Sequence, residues 1–333
     1  MVLVKTFLVA LLCLAPAAAL AGPRLEAIQT KGHLNCGVAV DEPGMSVIGP
    51  DGTATGFEPD LCRAIATAIF GVPNVVFTPT PTLTVFIEND EIDLVIRGLT
   101  QSFRRDVAGL VHFGPVVLYN GQTFLTRADS GLRSFADLDG KTICVSSDVY
   151  ADFLPALQHY FDSRSMSFMG IGTMTRRESE DRFFAGECDA VTADAVELAS
   201  AVIRYGDAGA FHILEGQIED EPLAPLLRRG DDEFLGLVTW AIHALVNAEA
   251  LGVDSTNVDA MRASAVPEIA AFFAEPPEGA GFHPEWSYRI VKFVGNYGQL
   301  FHHHLGRLEA ANLDRGPNRL ARNGGLLYAP PVR

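Results

Sequence analysis

The chain has 333 residues, 48% of them hydrophobic, and a formal net charge of -16. That length and apolar content support a large core divided between two lobes. The acidity argues against nucleic acid or an anionic membrane surface as a partner, because neither attracts such a protein.

Residues 1–21 read as a secretory signal peptide, with charge from Lys5, an apolar run over Phe7–Leu20 and a small-residue cleavage site at Ala19-Leu20-Ala21. Its removal takes away one lysine and no acid, moving the charge to -17. No other stretch reads as long and apolar enough to span a bilayer, so a soluble, exported, unanchored protein is expected. Cys13 lies inside the signal, leaving Cys36, Cys62, Cys144 and Cys188. An even count in an exported chain points to two disulfides. Of the three connectivities, Cys36–Cys62 and Cys144–Cys188 close the shortest non-crossing loops. The cysteines form no C-x-x-C pair, and neither a metal nor a cofactor is expected.

Residues 34–40 read as a buried strand, followed by a Gly- and Pro-rich loop up to Thr55. Gly56-Phe57-Glu58-Pro59-Asp60 opens a helix with proline near its first turn; Leu61, Ile65 and Ile69 recur at helical spacing, and Gly71 ends it. Val75–Thr78 is a strand, Thr84–Asn89 a helix and Asp93–Leu99 a strand, giving the β-α-β-α-β start of a doubly wound sheet. Val116–Arg127 is long enough to cross into a second lobe. There, strands over Lys141–Ser146, Ser167–Ile171, Asp189–Thr192 and Phe211–Leu214 alternate with helices over Tyr150–Phe161, Arg176–Phe184 and Ala195–Tyr205. Gln217–Arg228 reads as the return crossing, and helices follow at about Asp231–Leu251, Asn257–Phe273 and Pro284–Leu305. The fold class is therefore α/β: two doubly wound lobes joined by two hinge crossings, with a helical C-terminal extension on lobe 1. Lobe 1 is assigned residues about 24–124 plus 222–333, and lobe 2 about 125–221.

Within this frame, Asp93–Phe124 (DLVIRGLTQSFRRDVAGLVHFGPVVLYNGQTF) carries the strongest chemical signal. An apolar strand ends in a polar turn bearing Thr100, Ser102 and Arg105. Strand ends are where open α/β sheets bind ligands. A guanidinium fork flanked by hydroxyls suits a carboxylate.

The ordered segments GFEPDLCRAIA (56–66), DLVIRGLTQSFRRD (93–106), FGPVVLYNGQTF (113–124) and GECDAVTAD (186–194) resemble the family 3 periplasmic solute-binding proteins of polar amino-acid ABC importers. LRRGDD (227–232), YRIVKFVGNYGQLF (288–301) and GGLLYAPPVR (324–333) are similar to the general L-amino-acid-binding branch, with its extended C-terminus and four cysteines. The resemblance implies two lobes that close on a small-molecule ligand, a membrane-embedded ABC permease as partner and a monomeric, non-enzymatic protein. Residue by residue, it implies that Arg105 grips the ligand's α-carboxylate with Thr100 and Ser102 beside it, and that Asp194 pairs with the α-ammonium.

The pocket also departs from the family. Asp148-Val149 stands where the family has Gly-Thr at the start of the first lobe 2 helix, placing an acid beside the ligand's carboxylate. Met45 replaces an aromatic lid, Gln101 a tryptophan, and Gly98 presents no side chain. Two explanations stay open. In one, Ser146 and Ser147 supply the lost hydrogen bonds, Asp148 turns to solvent or caps its helix, and an amino acid still binds. In the other, Asp148 pairs with Arg105 across the closing cleft, leaving Asp194 to attract a solute with a cationic end, an amine, a guanidino compound or a basic amino acid. Arg104 complicates this case, since it could neutralise Asp148 instead. A dehydratase related to the cyclohexadienyl dehydratases is the enzymatic alternative, with Asp148 as its acid. Asp41-Glu42 reads as a solvated loop, and Trp286 and Tyr288 as packing residues. Consecutive histidines His302-His303-His304 point about 100° apart on a helix and so do not share one ion.

Overall fold

The computed structural model describes residues 22–107, 109, 111–147, 153–205, 208–306 and 315–332. The signal peptide (residues 1–21) and the Asp148-Val149 pair lie outside the described residues.

The chain opens with α1 (Pro23–Lys31) and β1 (Leu34–Val38), then a small meander of β2 (Asp41–Glu42), β3 (Ser46–Ile48) and β4 (Ala54–Thr55). Next come α2 (Phe57–Phe70), β5 (Val75–Pro79), α3 (Leu83–Glu88), β6 (Leu94–Val95), α4 (Phe103–Val107) and β7 (Val111–Phe113). The chain crosses through β8 (Leu118–Asn120) into β9 (Gln122–Arg127), β10 (Lys141–Ser146), α5 (Phe153–Ser163), β11 (Phe168–Thr173), α6 (Arg176–Phe184), β12 (Ala190–Asp194), α7 (Ala195–Tyr205) and β13 (Phe211–Ile213). It returns through β14 (Glu221–Leu223) and β15 (Leu226–Arg228) to α8 (Asp232–Leu251), α9 (Val258–Met261), α10 (Pro267–Phe272), α11 (Trp286–Phe293) and α12 (Tyr297–His304).

Two five-stranded sheets form the lobes, ordered β5-β1-β6-β15-β7 and β11-β10-β12-β9-β13. In each, four strands run in one direction and one crossing strand, β15 or β9, runs antiparallel between the last two. The crossings themselves pair as β8 and β14, Leu118–Asn120 against Glu221–Leu223. Gly121 sits at their closest approach: a Cβ there lies 2.3 Å from the Glu219 carbonyl oxygen, so a side chain at this position forces the two crossings apart.

Both cysteine pairs form as expected, with Cα separations of 6.2 Å for Cys36–Cys62 and 5.8 Å for Cys144–Cys188. The first ties β1 to α2 and the second ties β10 to the turn before β12. Loops of this size correspond to about 3–4 kcal/mol each in chain-entropy terms.

Several elements differ from the sequence reading. The loop before Thr55 contains the β2–β4 meander, in strands of two or three residues that are too short to leave a periodic signal. The strand expected over Asp93–Leu99 narrows to Leu94–Val95, because Gly98 at φ +62° turns the chain out of the extended region. The helix expected over 257–273 breaks before Pro267, which begins α10 because proline has no N–H to continue α9. The helix expected over 284–305 breaks at Asn296, whose side chain accepts from the Gln299 N–H while Gln299 answers the Asn296 N–H. By length and composition α8 is apolar enough to cross a bilayer, contrary to the sequence reading. It is instead a core helix packed on α2, α11 and α12.

Asp231 holds two helix starts with one carboxylate. Its Oδ2 accepts from the Arg24 and Leu25 N–H groups of α1 (2.8 and 3.0 Å), and its Oδ1 accepts from Phe234 of α8 (2.7 Å). Asp231→Ala removes both caps and is expected to cost about 2 kcal/mol, read by urea unfolding. A loss under about 0.5 kcal/mol would mean that water replaces both caps.

Candidate functional site

The parallel strands of both sheets end toward one cleft, as the ligand-binding edge of an open α/β sheet should. On the first sheet's side, β6 runs out into Arg97, Gly98 and the Thr100 turn. Arg105 folds back so that its Nη1 donates to the Thr100 carbonyl (2.8 Å), and its N–H reaches the Ser102 hydroxyl at 3.5 Å. Thr100, Ser102 and Arg105 are all half-buried. One short turn therefore gathers the three lobe 1 residues singled out in the sequence.

On the opposite side, Asp194 ends β12 and is 8% exposed, with its Oδ1 buried and without a hydrogen-bond partner. Burial pushes its carboxyl well above the ordinary range, and Glu197, Glu221 and Glu219 add to the shift while Arg176 opposes it. Ser146, at the end of β10, is buried with an unpartnered hydroxyl. Ser147 is exposed, and its hydroxyl donates to the Thr173 carbonyl (3.0 Å). Met45 is 8% exposed, within the core beside Gly56 and Phe57. Gln101 ties its N–H to the Pro222 carbonyl (2.8 Å).

The structure adds residues that sequence reasoning missed. Glu58, in the first turn of α2, is 2% exposed, and its Oε2 has no partner. Burial pushes its carboxyl up to about 8, against the pull of Arg97 and the Gly98 N–H, and Glu42 and Glu197 reinforce the rise. Glu197, in the first turn of α7, accepts from Asn120 (3.0 Å) and is also raised by burial, with Arg176 opposing. Glu58 lies in the GFEPD segment that carried the resemblance, but there it reads only as a favourable first-turn acid.

Asp41 and Glu42 are not a solvated loop. They form β2 and face α6 and α7 across the cleft mouth. Glu42 pairs with Arg176 and, at 3.5 Å, with Arg204. Arg176 and Arg204 both reach the buried Glu180, at 2.9 and 2.7 Å. Arg177 pairs with the exposed Asp41 (2.7 Å), and the Ser200 hydroxyl donates to the Pro43 carbonyl (2.7 Å). Burial opposes the charge on Arg176, yet Glu42, Glu197 and Glu180 outweigh it and hold the guanidinium protonated. The lobes thus meet along an ion-paired seam.

Of the aromatic and histidine candidates, Trp286 is buried in the core and Tyr288 donates to Asp259 (2.8 Å). His304 lies 2.7 Å from Asp60. Among the described residues, no group of three His, Cys, Asp or Glu side chains is arranged to hold a metal ion.

Comparison with known proteins agrees with this geometry. Residues 34–252 match the bacterial extracellular solute-binding proteins, family 3. The chain is 34% identical over 325 residues to the general L-amino acid-binding periplasmic protein AapJ of Rhizobium johnstonii, covering 95% of each chain. It is 32% identical over 324 residues to the glutamate/glutamine/aspartate/asparagine-binding protein BztA of Rhodobacter capsulatus, again covering 95% of each. A periplasmic binding protein from Brucella ovis, solved with glutathione bound, superposes with a TM-score of 0.83 at 31% identity, covering 93% of this chain and 99% of that one. Two α/β lobes, paired crossings and a polar cleft at the strand ends, together with these likenesses over nearly the full length, make the chain a member of the bacterial extracellular solute-binding proteins, family 3.

Proposed function

We propose that the protein is the substrate-binding component of an amino-acid ABC transporter and that it holds the α-carboxylate and α-ammonium of its solute between Arg105 and Asp194. The observation that carries this reading is the pairing of chemistries across the cleft. A guanidinium sits on the turn after β6 in one lobe, and a buried carboxylate with an unpartnered oxygen ends β12 in the other. A zwitterion answers both walls at once, so only the closed, liganded form satisfies both. Thr100 and Ser102 flank the carboxylate. On the other wall, Ser146 has the free hydroxyl, while Ser147 contributes through its position before Asp148. Asp148 is the acid by which this wall would also meet the solute.

In this reading the lobes comprise residues about 24–124 with 222–333 and about 125–221. The paired β8 and β14 form the hinge, so that Gln122–Phe124 already hydrogen-bond within the second sheet. The protein is exported to the periplasm through residues 1–21, works as a monomer and delivers its solute to a membrane permease. AapJ and BztA, which match nearly the whole chain, are both named as binding proteins, and this supports a binding role over the dehydratase alternative. A second reading, capture of a glutathione-like peptide, is favoured by the Brucella ovis structure, since glutathione offers the same α-amino and carboxylate ends.

The test is a thermal-shift panel on refolded, ligand-stripped mature protein, spanning L-amino acids, glutathione and polyamines. A solute at 100 times its dissociation constant adds about 2.7 kcal/mol of stability. At least one L-amino acid is expected to raise the melting temperature, and Arg105→Ala to abolish the rise. An unchanged rise in Arg105→Ala would contradict the assignment.

A further inference from the structure

The cleft carries more acidic side chains than a neutral zwitterion engages. Glu180 and Arg204 cancel as a pair at 2.7 Å. Glu42, Glu58, Asp194 and Glu197 lie close to the site, with Glu219 and Glu221 also acting on Asp194, and the guanidiniums of Arg97 and Arg176 oppose them. Arg105 is taken by the solute's carboxylate in the reading above. Burial holds the Glu58 and Glu197 carboxyls above their ordinary range, so ionising this pair in the closed cleft calls for a cation brought by the solute.

The place for that cation is built. Gly98, just past β6, has no side chain, and a Cβ there would lie 3.9 Å from Glu58 Oε1 and 3.9 Å from Glu197 Oε1, the two atoms outside its chain neighbours that come within 4 Å. The two carboxylates come from opposite sides of the cleft and face each other over the glycine. The Oε2 of Glu58 is buried and unpartnered, which marks this as more than an acidic cluster.

We propose that the preferred solute carries a net positive charge, as a diamino or guanidino carboxylate does, and that Glu58 and Glu197 bind its distal cation over Gly98. The inference rests on the amino-acid reading above and narrows it. A solute with a second carboxylate, such as glutamate or glutathione, brings a further negative charge to a cleft that already holds too many, and is disfavoured.

Titration calorimetry on ligand-stripped mature protein tests this with L-ornithine, L-arginine, L-glutamine, L-glutamate, reduced glutathione and putrescine. L-Ornithine or L-arginine is expected to bind at least about tenfold more tightly than L-glutamine, and putrescine, lacking the carboxylate, to bind more weakly than either. Glu58→Gln is expected to shrink the ratio of L-glutamine to L-ornithine dissociation constants by about tenfold or more, with Glu197→Gln as the second arm if the first variant fails to fold. Equal or tighter binding of L-glutamate or glutathione overturns the proposal, as does an unchanged ratio in the folded variant. If such binding is lost in Arg105→Ala, the amino-acid reading survives and only the cation preference falls. If no amino acid binds the wild type, both fall.

Discussion

Arg176→Ala is expected to lower the free energy of unfolding by about 3 kcal/mol and to weaken solute binding as well, whereas Arg177→Ala changes stability by less than about 1 kcal/mol. The two arginines are neighbours on α6 and both reach β2, so the contrast isolates burial. Arg177 pairs with an Asp41 side chain that is 62% exposed, and water screens that pair. Arg176 bridges Glu42 to Glu180, whose side chain is 1% exposed, so its loss strands carboxylates that have little access to water. The same contacts hold the meander of one lobe against α6 of the other, so the variant also populates the open form and pays for closure in affinity. Urea unfolding gives the first quantity and titration calorimetry the second. If both variants behave alike, the seam does not stabilise closure.

The second large effect concerns pH. Glu58 titrates near 8 in the folded protein, against about 4.5 for an ordinary glutamate, because burial penalises its charge. A carboxyl raised on folding binds its proton more tightly in the native state. Its contribution to stability is therefore fully present below about pH 4.5 and is lost as the pH rises toward 8. Its neighbours Arg97 and the Gly98 N–H favour the charged form, while Glu42 and Glu197 disfavour it. Asp194, Glu197 and Glu180 shift in the same direction. The solute-free protein should thus lose on the order of a few kcal/mol between pH 5 and 8. Glu58→Gln should flatten part of that slope. Thermal melts of both proteins across this range measure it, and a wild type that gains stability over the range would show that the cleft carboxyls are ionised throughout.

Much of the fold is legible in the sequence because its signals are local. Gly71 ends α2, the apolar run Ile143–Val145 marks β10, and Thr175 before α6 accepts from the Glu178 N–H as a capping residue does. The disulfide pairing follows from loop length. The breaks at Asn296 and Pro267 were missed because apolar spacing runs on through them, and only the capping chemistry stops the helices.

The site is legible on one wall and obscure on the other. Thr100, Ser102 and Arg105 lie within six consecutive residues, so the turn that joins them is visible in one dimension. Glu58, Gly98 and Glu197 are brought together only by folding, and each is unremarkable in its own segment. Asp41 and Glu42 look solvated for the same reason, since the arginines they meet lie more than 130 positions away.

The central claim is that a zwitterion is held between Arg105 and Asp194, and the calorimetric affinity of Asp194→Asn tests it most directly. Asparagine keeps the shape of the side chain and removes only the charge that meets the ammonium. The account predicts at least about a 100-fold loss of affinity for the L-amino acid that binds the wild type, equivalent to about 2.7 kcal/mol, with the fold intact. Affinity within about threefold of wild type would contradict it, and would mean that Asp194 has no part in holding the solute.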